Sequence, residues 1–221
     1  MNNFIEITEL KKVFGSGIDE VHAFGPVTIN INTGEFVSIL GPSGCGKSTL
    51  MLMVAGLLDS TSGKIEFESK LVKGPKTDIG IMFQDNTLVP WRTVKENIEL
   101  QLELRGLNLK DYQEQIDNIL KSVSLEDFAT RFPNELSGGM QKRVAIARAI
   151  VMNPKYLFCD EPNSGLDPQT AIVIDNLIQE ITDEFNITTV INTHDMNSVM
   201  EIGEKIIFLK DGRKAWEGSS N

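Results

Sequence analysis

The chain has 221 residues, of which 41% are hydrophobic and 24% charged, a composition typical of a globular protein with a sizeable core. Its formal net charge of −10 argues against a nucleic-acid partner, because nucleic-acid-binding proteins usually present a basic face. The longest apolar run covers residues 50–58, fewer than half of the roughly twenty that a membrane span needs, so we expect neither a membrane helix nor a secretory leader.

The first forty residues show the alternation of half-buried β-strands. Apolar residues alternate with polar ones, and glycine-containing turns at 15–17 and 32–34 separate the runs. This pattern predicts antiparallel strands at the N-terminus. The apolar positions that carry it are Ile5, Ile7, Val13, Val27, Ile29 and Ile31.

A phosphate-binding loop follows at residues 41–48, which read G-x-x-x-x-G-K-S in full. The apolar run 36–40 before it is typical of a buried strand, and residues 49–55 after it resemble the opening of a helix, which is the context that the motif requires. Lys47 can reach the β- and γ-phosphates of a nucleotide, and the Ser48 hydroxyl can ligate Mg²⁺. The loop therefore predicts binding of a nucleoside triphosphate.

Helical periodicity dominates the middle of the chain. Val94, Ile98 and Leu102 recur at every fourth residue, and residues 112–123 carry a clear apolar stripe. A third helix is predicted from about Met140 to Val151. We expect these helices to form an insert over residues of about 86–154, between strands.

Three cations, Lys142, Arg143 and Arg148, stand at helical spacing among alanines of the third predicted helix. We interpret them as one helix side that faces solvent or a partner, rather than as a site for a phosphate backbone. Ser137, immediately before this helix, suits an N-cap. Gly138 and Gly139 leave the first N–H groups uncovered, which suits either an anion site or an ordinary capped helix.

Strand and helix alternate again after the insert. Apolar strand runs at 157–159, 188–192 and 206–209 flank a helix at 171–184, which predicts a parallel sheet with crossover helices and an α/β fold. The first of these strands ends in Asp160 and Glu161. An acid at this point can hold Mg²⁺ opposite Ser48, and the next can poise a water against the γ-phosphate.

Six elements occur in the order found in ABC transporter ATP-binding subunits, and the chain resembles that family from about Phe4 to Gly218. The resemblance implies a phosphate-loop NTPase core with a parallel sheet, an N-terminal antiparallel β subdomain and an inserted α-helical subdomain, within a single domain over residues 1–221. The elements are the phosphate loop, Gln84, Leu136-Ser137-Gly138-Gly139, Asp160-Glu161, Ser164-Gly165-Leu166-Asp167 and His194.

The resemblance also implies a role for each site residue, with ATP and Mg²⁺ as cofactors. Phe14 would stack on the adenine, Gln84 would sense Mg²⁺ and water and couple the site to the membrane partner, Glu161 would be the catalytic base, and His194 would contact the γ-phosphate. The Mg²⁺ ligands would be Ser48, Gln84 and Asp160. ATP would be bound by Phe14, Gly41, Pro42, Ser43, Gly44, Cys45, Gly46, Lys47, Ser48, Thr49, Gln84, Asp160 and His194, and by Ser137, Gly138 and Gly139 of the opposite subunit.

A shared site implies a homodimer in the ATP-bound state, working with integral-membrane permease subunits and a substrate-binding protein. Residues 83–91 resemble importers of nitrate, sulfonates and taurine, whereas residues 134–149 and 193–200 resemble the ATPases of phospholipid-trafficking transporters. The resemblance to importers is preferred as the guide to cargo, because residues 88–91 follow Gln84, the glutamine implied to couple the site to the membrane partner. A soluble ABC ATPase outside transport is a further alternative.

The cysteine positions bear on the compartment. Cys45 stands in the phosphate loop and Cys159 in an apolar strand, and neither position suggests a disulfide. This fits a reducing cytoplasm. Together with the implied permease, it predicts a cytoplasmic protein that lies peripherally on the inner face of the cell membrane.

Overall fold

The structure is a computed structural model that describes residues 3–219. The chain divides into two compact units. The first comprises the residues up to Ile79 together with those from Thr188 onward, and the second comprises Gly80–Ile187. The predicted single domain over 1–221 and the subdomain boundaries of about 86–154 stay predictions.

One sheet of the first unit is antiparallel, as the N-terminal alternation predicted. Ile5, Ile7 and Ile29 are almost completely buried, so one face of the paired strands forms part of the core. The strands, in the order β2-β1-β4-β5, are β1 (Asn3–Phe14), β2 (Val21–Asn32), β4 (Ser62–Phe67) and β5 (Lys70–Leu71).

The other strands of the first unit include the predicted parallel pairs. β3 runs parallel to both β8 and β9, while β10 is antiparallel to β9. All five residues of β3 are buried, as expected for a strand covered on both faces. The strands, in the order β10-β9-β3-β8, are β3 (Phe36–Leu40), β8 (Thr188–Thr193), β9 (Lys205–Lys210) and β10 (Arg213–Ser219).

Two α-helices belong to the described part of the first unit. α1 (Lys47–Val54) follows β3 through the phosphate loop and confirms the predicted strand–loop–helix order. It begins two residues before the predicted opening at Thr49, because Lys47 and Ser48 already form its first turn. α6 (Met196–Ile202) follows β8 and was not predicted.

The second unit contains the predicted helices. Its strands β6 (Ile79–Met82) and β7 (Tyr156–Asp160) are neighbours in a sheet, and all five residues of β7 are buried. Among residues 3–219, no helix is long and apolar enough to cross a membrane. The helices are α2 (Val94–Leu104), α3 (Gln113–Ser122), α4 (Gly138–Ile150) and α5 (Pro168–Phe185).

Side chains cap α2 and α5 at their first turns. The Thr93 hydroxyl accepts from the Glu96 N–H at 3.3 Å, and the Glu96 carboxylate accepts from the Thr93 N–H at 2.7 Å, which is a reciprocal capping box for α2. The hydrogen bonds that the Thr93 N–H and hydroxyl donate to the Glu96 carboxylate lower its pKa. At α5 the Asp167 carboxylate accepts from the N–H groups of Gln169 and Thr170, both at 3.1 Å. Each cap satisfies donors that the helix itself leaves unpaired.

A buried asparagine fixes the segment that precedes α2. The Asn97 side chain is fully buried, and its oxygen accepts from the Val89 N–H at 2.8 Å. Its amide nitrogen lies 3.2 Å from the carbonyl oxygen of Val89, 3.0 Å from that of Arg92 and 2.9 Å from that of Thr93. One side chain thus pairs backbone groups across residues 89–93.

Replacing this asparagine should destabilise the protein. Asn97→Leu preserves the approximate volume but leaves several buried backbone groups without a partner, so we expect the free energy of unfolding to fall by about 2–4 kcal/mol. Gln101→Ala, on the same helix, should cost less than about 1 kcal/mol. Chemical denaturation of both variants tests this, and equal losses would contradict the role assigned to Asn97.

Candidate nucleotide-binding and hydrolysis site

The phosphate loop turns on two glycines with left-handed backbone. Gly44 has a φ of 79° and Gly46 a φ of 100°. Gly46 is the N-cap of α1, and in the described part of the chain no side chain caps this helix start. The first N–H groups of α1 are therefore left to an external acceptor, and the helix dipole adds partial positive charge. This is the arrangement of an anion site.

The Lys47 ammonium lies back over this loop. Its Nζ donates to the Gly41 carbonyl oxygen at 2.6 Å and to the Pro42 carbonyl oxygen at 3.3 Å. Only 6% of the residue is exposed. A cation held against the loop backbone, beside the uncapped helix start, fits a site for negatively charged phosphates.

The first residue of the loop has no room for a side chain. A Cβ at Gly41 would lie 2.4 Å from the Leu209 carbonyl oxygen and 2.6 Å from the Cys45 Sγ. The Gly41 N–H donates to the Thr193 carbonyl oxygen at 3.4 Å, which joins the loop to the end of β8. Thr193 is followed in the chain by His194, which is exposed. The backbone just before His194 is thereby joined to the start of the phosphate loop, and the contact of His194 with the γ-phosphate stays a prediction.

Phe14, the residue predicted to stack on adenine, ends β1. Its side chain is 43% exposed. The Lys12 ammonium lies 4.9 Å from the centre of its ring, a cation–π arrangement, and also donates to the Asp59 carbonyl oxygen at 2.7 Å. Lys12 thus steadies the ring from a neighbouring position on the strand. Stacking on adenine stays a prediction.

In the second unit, two neighbouring strands end at predicted site residues. Gln84 follows β6 after one residue and is exposed, and Asp160 is the last residue of β7. Asp160 is 5% exposed and Glu161 6%. Glu161 has a φ of 48°, a left-handed conformation that is uncommon for any residue but glycine. Such backbone strain is concentrated at functional sites, because the surrounding structure must maintain it.

The prediction that Lys142 lies on a solvated or partner-facing helix side is wrong. Lys142 is only 4% exposed, and its Nζ donates to the Gln84 carbonyl oxygen at 2.7 Å. Burial lowers its pKa, while the nearby carboxylates of Asp85, Asp160 and Glu161 act in the opposite direction. Lys142 therefore lies among the predicted site residues of this unit and brings Gln84, Asp160 and Glu161 into one group.

The same prediction is wrong for Arg148. Its guanidinium donates to the Asn86 carbonyl oxygen at 2.8 Å, to the Thr87 carbonyl oxygen at 2.9 Å and to the Thr87 hydroxyl at 3.0 Å. Burial lowers its pKa. The Arg143 guanidinium donates to the Val123 carbonyl oxygen at 3.4 Å, so it too is bound within the unit. Arg143 and Arg148 are half-buried, and each binds a backbone carbonyl of the unit.

Sequence reasoning missed Lys142 and Arg148 as determinants of the Gln84 segment. A signal existed for Lys142, which stands three residues before Ala145 and four before Ile146, and both are buried. That spacing places Lys142 on the apolar face of α4. No comparable signal pointed to the carbonyl oxygens that the two cations bind, because backbone acceptors leave no mark in a sequence.

Ser137 caps α4, as predicted, and its hydroxyl accepts from the Met140 N–H at 3.3 Å. A Cβ at Gly139 would lie 2.6 Å from the Thr170 Cγ2, and one at Gly138 would lie 3.4 Å from a Leu166 methyl. Close packing against the start of α5 therefore requires a glycine at 139. The contact of Ser137, Gly138 and Gly139 with a second subunit's ATP stays a prediction.

The donor chemistry fits a Mg²⁺ ion that arrives with a nucleotide. Among residues 3–219, no group of three or more His, Cys, Asp or Glu side chains could hold a metal ion. Mg²⁺ usually takes one or two protein ligands and completes its shell with phosphates and water. The Ser48 hydroxyl, in the first turn of α1, and the Asp160 carboxylate, at the end of β7, are ligands of that kind. Their role in holding Mg²⁺ stays a prediction.

The two left-handed glycines allow a matched test of the loop. A Cβ at Gly44 would meet no atom within 4 Å, so Gly44→Ala should cost only backbone strain, about 1–2 kcal/mol. A Cβ at Gly46 would lie 2.8 Å from the Ala23 carbonyl oxygen and 2.9 Å from the Phe24 ring. Gly46→Ala should therefore lose more stability and more ATP affinity, measured by denaturation and calorimetry. Equal effects of the two changes would contradict this account.

Comparison with known proteins agrees with the fold and with the loop geometry. The ABC transporter family model matches residues 24–164. The nitrate import ATP-binding protein NrtD of Synechocystis sp. is 38% identical over 205 residues, covering 93% of this chain and 77% of that protein. The methionine import ATP-binding protein MetN 2 of Bacillus cereus is 38% identical, covering 97% of this chain but only 66% of its own length.

A solved structure has the same fold. The ATP-binding cassette MJ0796, in a dimeric post-hydrolysis state bound to ADP and Pi, aligns with a TM-score of 0.87 at 35% identity, covering 98% of this chain and 99% of that one. This confirms the α/β phosphate-loop fold predicted from the sequence. The chain therefore belongs to the ABC transporter family and is one of its ATP-binding cassettes, an ATPase with the ABC ATPase fold.

Proposed function

We propose that Glu161 is the general base of this ATPase and that hydrolysis powers transport through a separate membrane permease. The observation that carries the proposal is the position of Glu161, which is buried, directly follows β7 and has left-handed backbone. A nearly buried carboxylate in a strained, fixed conformation is suited to orienting one water molecule. It is poorly suited to a purely structural surface role.

The reaction follows from these groups. The N–H groups at the start of α1 and the Lys47 ammonium bind the β- and γ-phosphates. The Glu161 carboxylate accepts a proton from water, the water oxygen bonds to the γ-phosphorus, and the bond to the bridging oxygen of ADP breaks. Bound Mg²⁺ would neutralise charge that develops on the phosphates. His194 is proposed to contact the γ-phosphate, and Gln84 is proposed to sense Mg²⁺ and water and to couple the site to the membrane partner.

We infer that the active form is an ATP-bound homodimer. Support comes from MJ0796, whose similar cassette is dimeric with ADP and Pi bound. In this proposal Ser137, Gly138 and Gly139 of one copy contact the ATP held by the phosphate loop of the other. With a formal net charge of −10, two copies repel each other, so the shared nucleotide supplies much of the attraction.

Glu161→Gln should separate binding from hydrolysis. The amide keeps the size of the side chain but cannot accept the proton, and removing a general base typically lowers the rate by about 10²–10⁴. We expect ATP affinity within about threefold of the wild type, and an ATP-dependent dimer on size exclusion. Glu180→Gln, at an exposed position of α5, serves as a matched carboxylate-to-amide control. Near-normal turnover by Glu161→Gln would exclude Glu161 as the base.

The permease is proposed to dock beside the segment that follows Gln84. Trp91, in this segment, is 78% exposed, although Arg148 and Asn97 hold the backbone on either side of Leu88 by hydrogen bonds. An exposed tryptophan on a fixed backbone is suited to anchoring a protein interface. Docking at the permease would place the chain peripherally on the inner, cytoplasmic face of the cell membrane.

The proposed cargo is nitrate, a sulfonate or taurine, moved inward with the help of a substrate-binding protein. The nitrate-import relative and the importer-like residues 83–91 support this proposal. The methionine-import relative has the same sequence identity to this chain, 38%, so methionine forms a second arm of the test. Phospholipid, the cargo implied by residues 134–149, forms a third.

The decisive experiment captures the permease first. Tagged Glu161→Gln chain, trapped with ATP, is purified from membranes of its own cells, and the bound membrane protein is identified by mass spectrometry. That permease is then reconstituted with wild-type chain in vesicles, and ATPase stimulation by nitrate, taurine, methionine and phospholipid is compared. Stimulation by nitrate or taurine supports the proposed cargo, whereas stimulation only by methionine or phospholipid overturns it. Trp91→Ala should weaken capture, and Trp216→Ala is the matched control.

A further inference from the structure

The second unit contains a buried ammonium, that of Lys142. α4 carries this residue into the interior of the second unit, where it is 4% exposed. Its Nζ donates to the backbone carbonyl of Gln84 at 2.7 Å, across 58 positions of the sequence. A lysine is almost never buried to this extent without a partner that repays its lost hydration. The hydrogen bond to Gln84 is one such partner.

Nearby carboxylates also compensate the Lys142 ammonium for its lost hydration. The carboxylates of Asp85, Asp160 and Glu161 lie close enough to interact electrostatically with the ammonium. Asp160 is the last residue of β7, and Glu161, the proposed base, directly follows it. Lys142 is therefore placed between the backbone of Gln84 and the acidic end of β7. It acts on both by charge and on one by a hydrogen bond.

We propose that Lys142 is a positioning residue for ATP hydrolysis, fixing the Gln84 backbone so that the Gln84 side chain keeps its place relative to Asp160 and Glu161. The inference rests on the role proposed above for Gln84. A carbonyl held at 2.7 Å by a buried ammonium restricts the backbone from which the Gln84 side chain projects. Misplacement of a reacting group by about 1 Å can cost about 10² in rate.

Arg148 shows what a merely structural tie on the same helix looks like. It also lies on α4 and binds the carbonyl oxygens of Asn86 and Thr87, two and three residues beyond Gln84. Its pKa is lowered by burial alone, with no contribution from a site carboxylate. Arg148 therefore anchors the segment, whereas Lys142 anchors the residue that the reaction uses. This difference makes Arg148 the matched control.

Three substitutions at Lys142 distinguish the effect of its hydrogen bond to Gln84 from the effect of its side-chain volume. Lys142→Met removes the donor, and we expect kcat to fall about 10–100-fold, with KM for ATP within about threefold, because the phosphate loop is untouched. Lys142→Gln retains an N–H donor on a slightly shorter side chain and should keep kcat within about fivefold of the wild type. Lys142→Arg retains both donor and charge and should do the same.

Amide hydrogen exchange supplies a reading that does not depend on turnover. In Lys142→Met without nucleotide, peptides covering residues 83–88 should exchange faster than in the wild type, and Lys142→Gln should restore the slower exchange. Melting temperatures of all variants are measured in parallel. Lys142→Met and Arg148→Met should both lose stability, but Arg148→Met should keep kcat within about threefold.

The outcomes distinguish this inference from the role of Gln84 itself. Gln84→Ala with normal kcat would remove the proposed role of Gln84, and the inference with it. A low kcat for Gln84→Ala with normal kcat for Lys142→Met would overturn the inference alone. It would also be overturned if Arg148→Met lowered kcat as much as Lys142→Met, or if Lys142→Gln were as slow as Lys142→Met.

Discussion

The nucleotide site depends on one helix start that no side chain caps. α2, α4 and α5 each begin with a side-chain oxygen on their first N–H groups, supplied by Thr93, Ser137 and Asp167. α1 begins with Gly46 instead, in left-handed backbone, and its first N–H groups have no such acceptor among the described residues. The missing cap lowers the stability of the free protein and leaves donors for phosphate oxygens, so binding the ligand completes the helix.

A second constraint acts through the interior of the other unit. α4 begins at Gly138, and its cations Lys142 and Arg148 bind backbone carbonyls of the segment that starts at Gln84. Asn97 of α2 secures the same segment farther along, at Val89. The segment is thus held by side chains from two helices. A displacement of α4 would be passed on to Gln84 through a short chain of hydrogen bonds rather than through loose packing.

The sequence predicted what depends on local pattern. The alternation around Ile5 and Ile29 predicted antiparallel strands, and the periodicity of Val94 and Ile98 predicted α2, because burial of one face imposes the pattern. The short elements β5 and α6 were missed, since two to seven residues carry too little periodicity. The burial of Lys142 was missed for another reason, because its partner is a carbonyl 58 positions away.

Burial also distinguishes the residues proposed to act on ATP from those proposed to contact a partner. Lys47 and Glu161, for which we propose roles in binding and hydrolysing ATP, are buried, and those roles depend on the chemistry of phosphate. That chemistry is the same whatever is transported, so a nitrate-import and a methionine-import relative reach the same 38% identity. Partner choice must then lie in exposed residues on a fixed backbone. Trp91, 78% exposed beside the segment secured by Arg148 and Asn97, combines both properties.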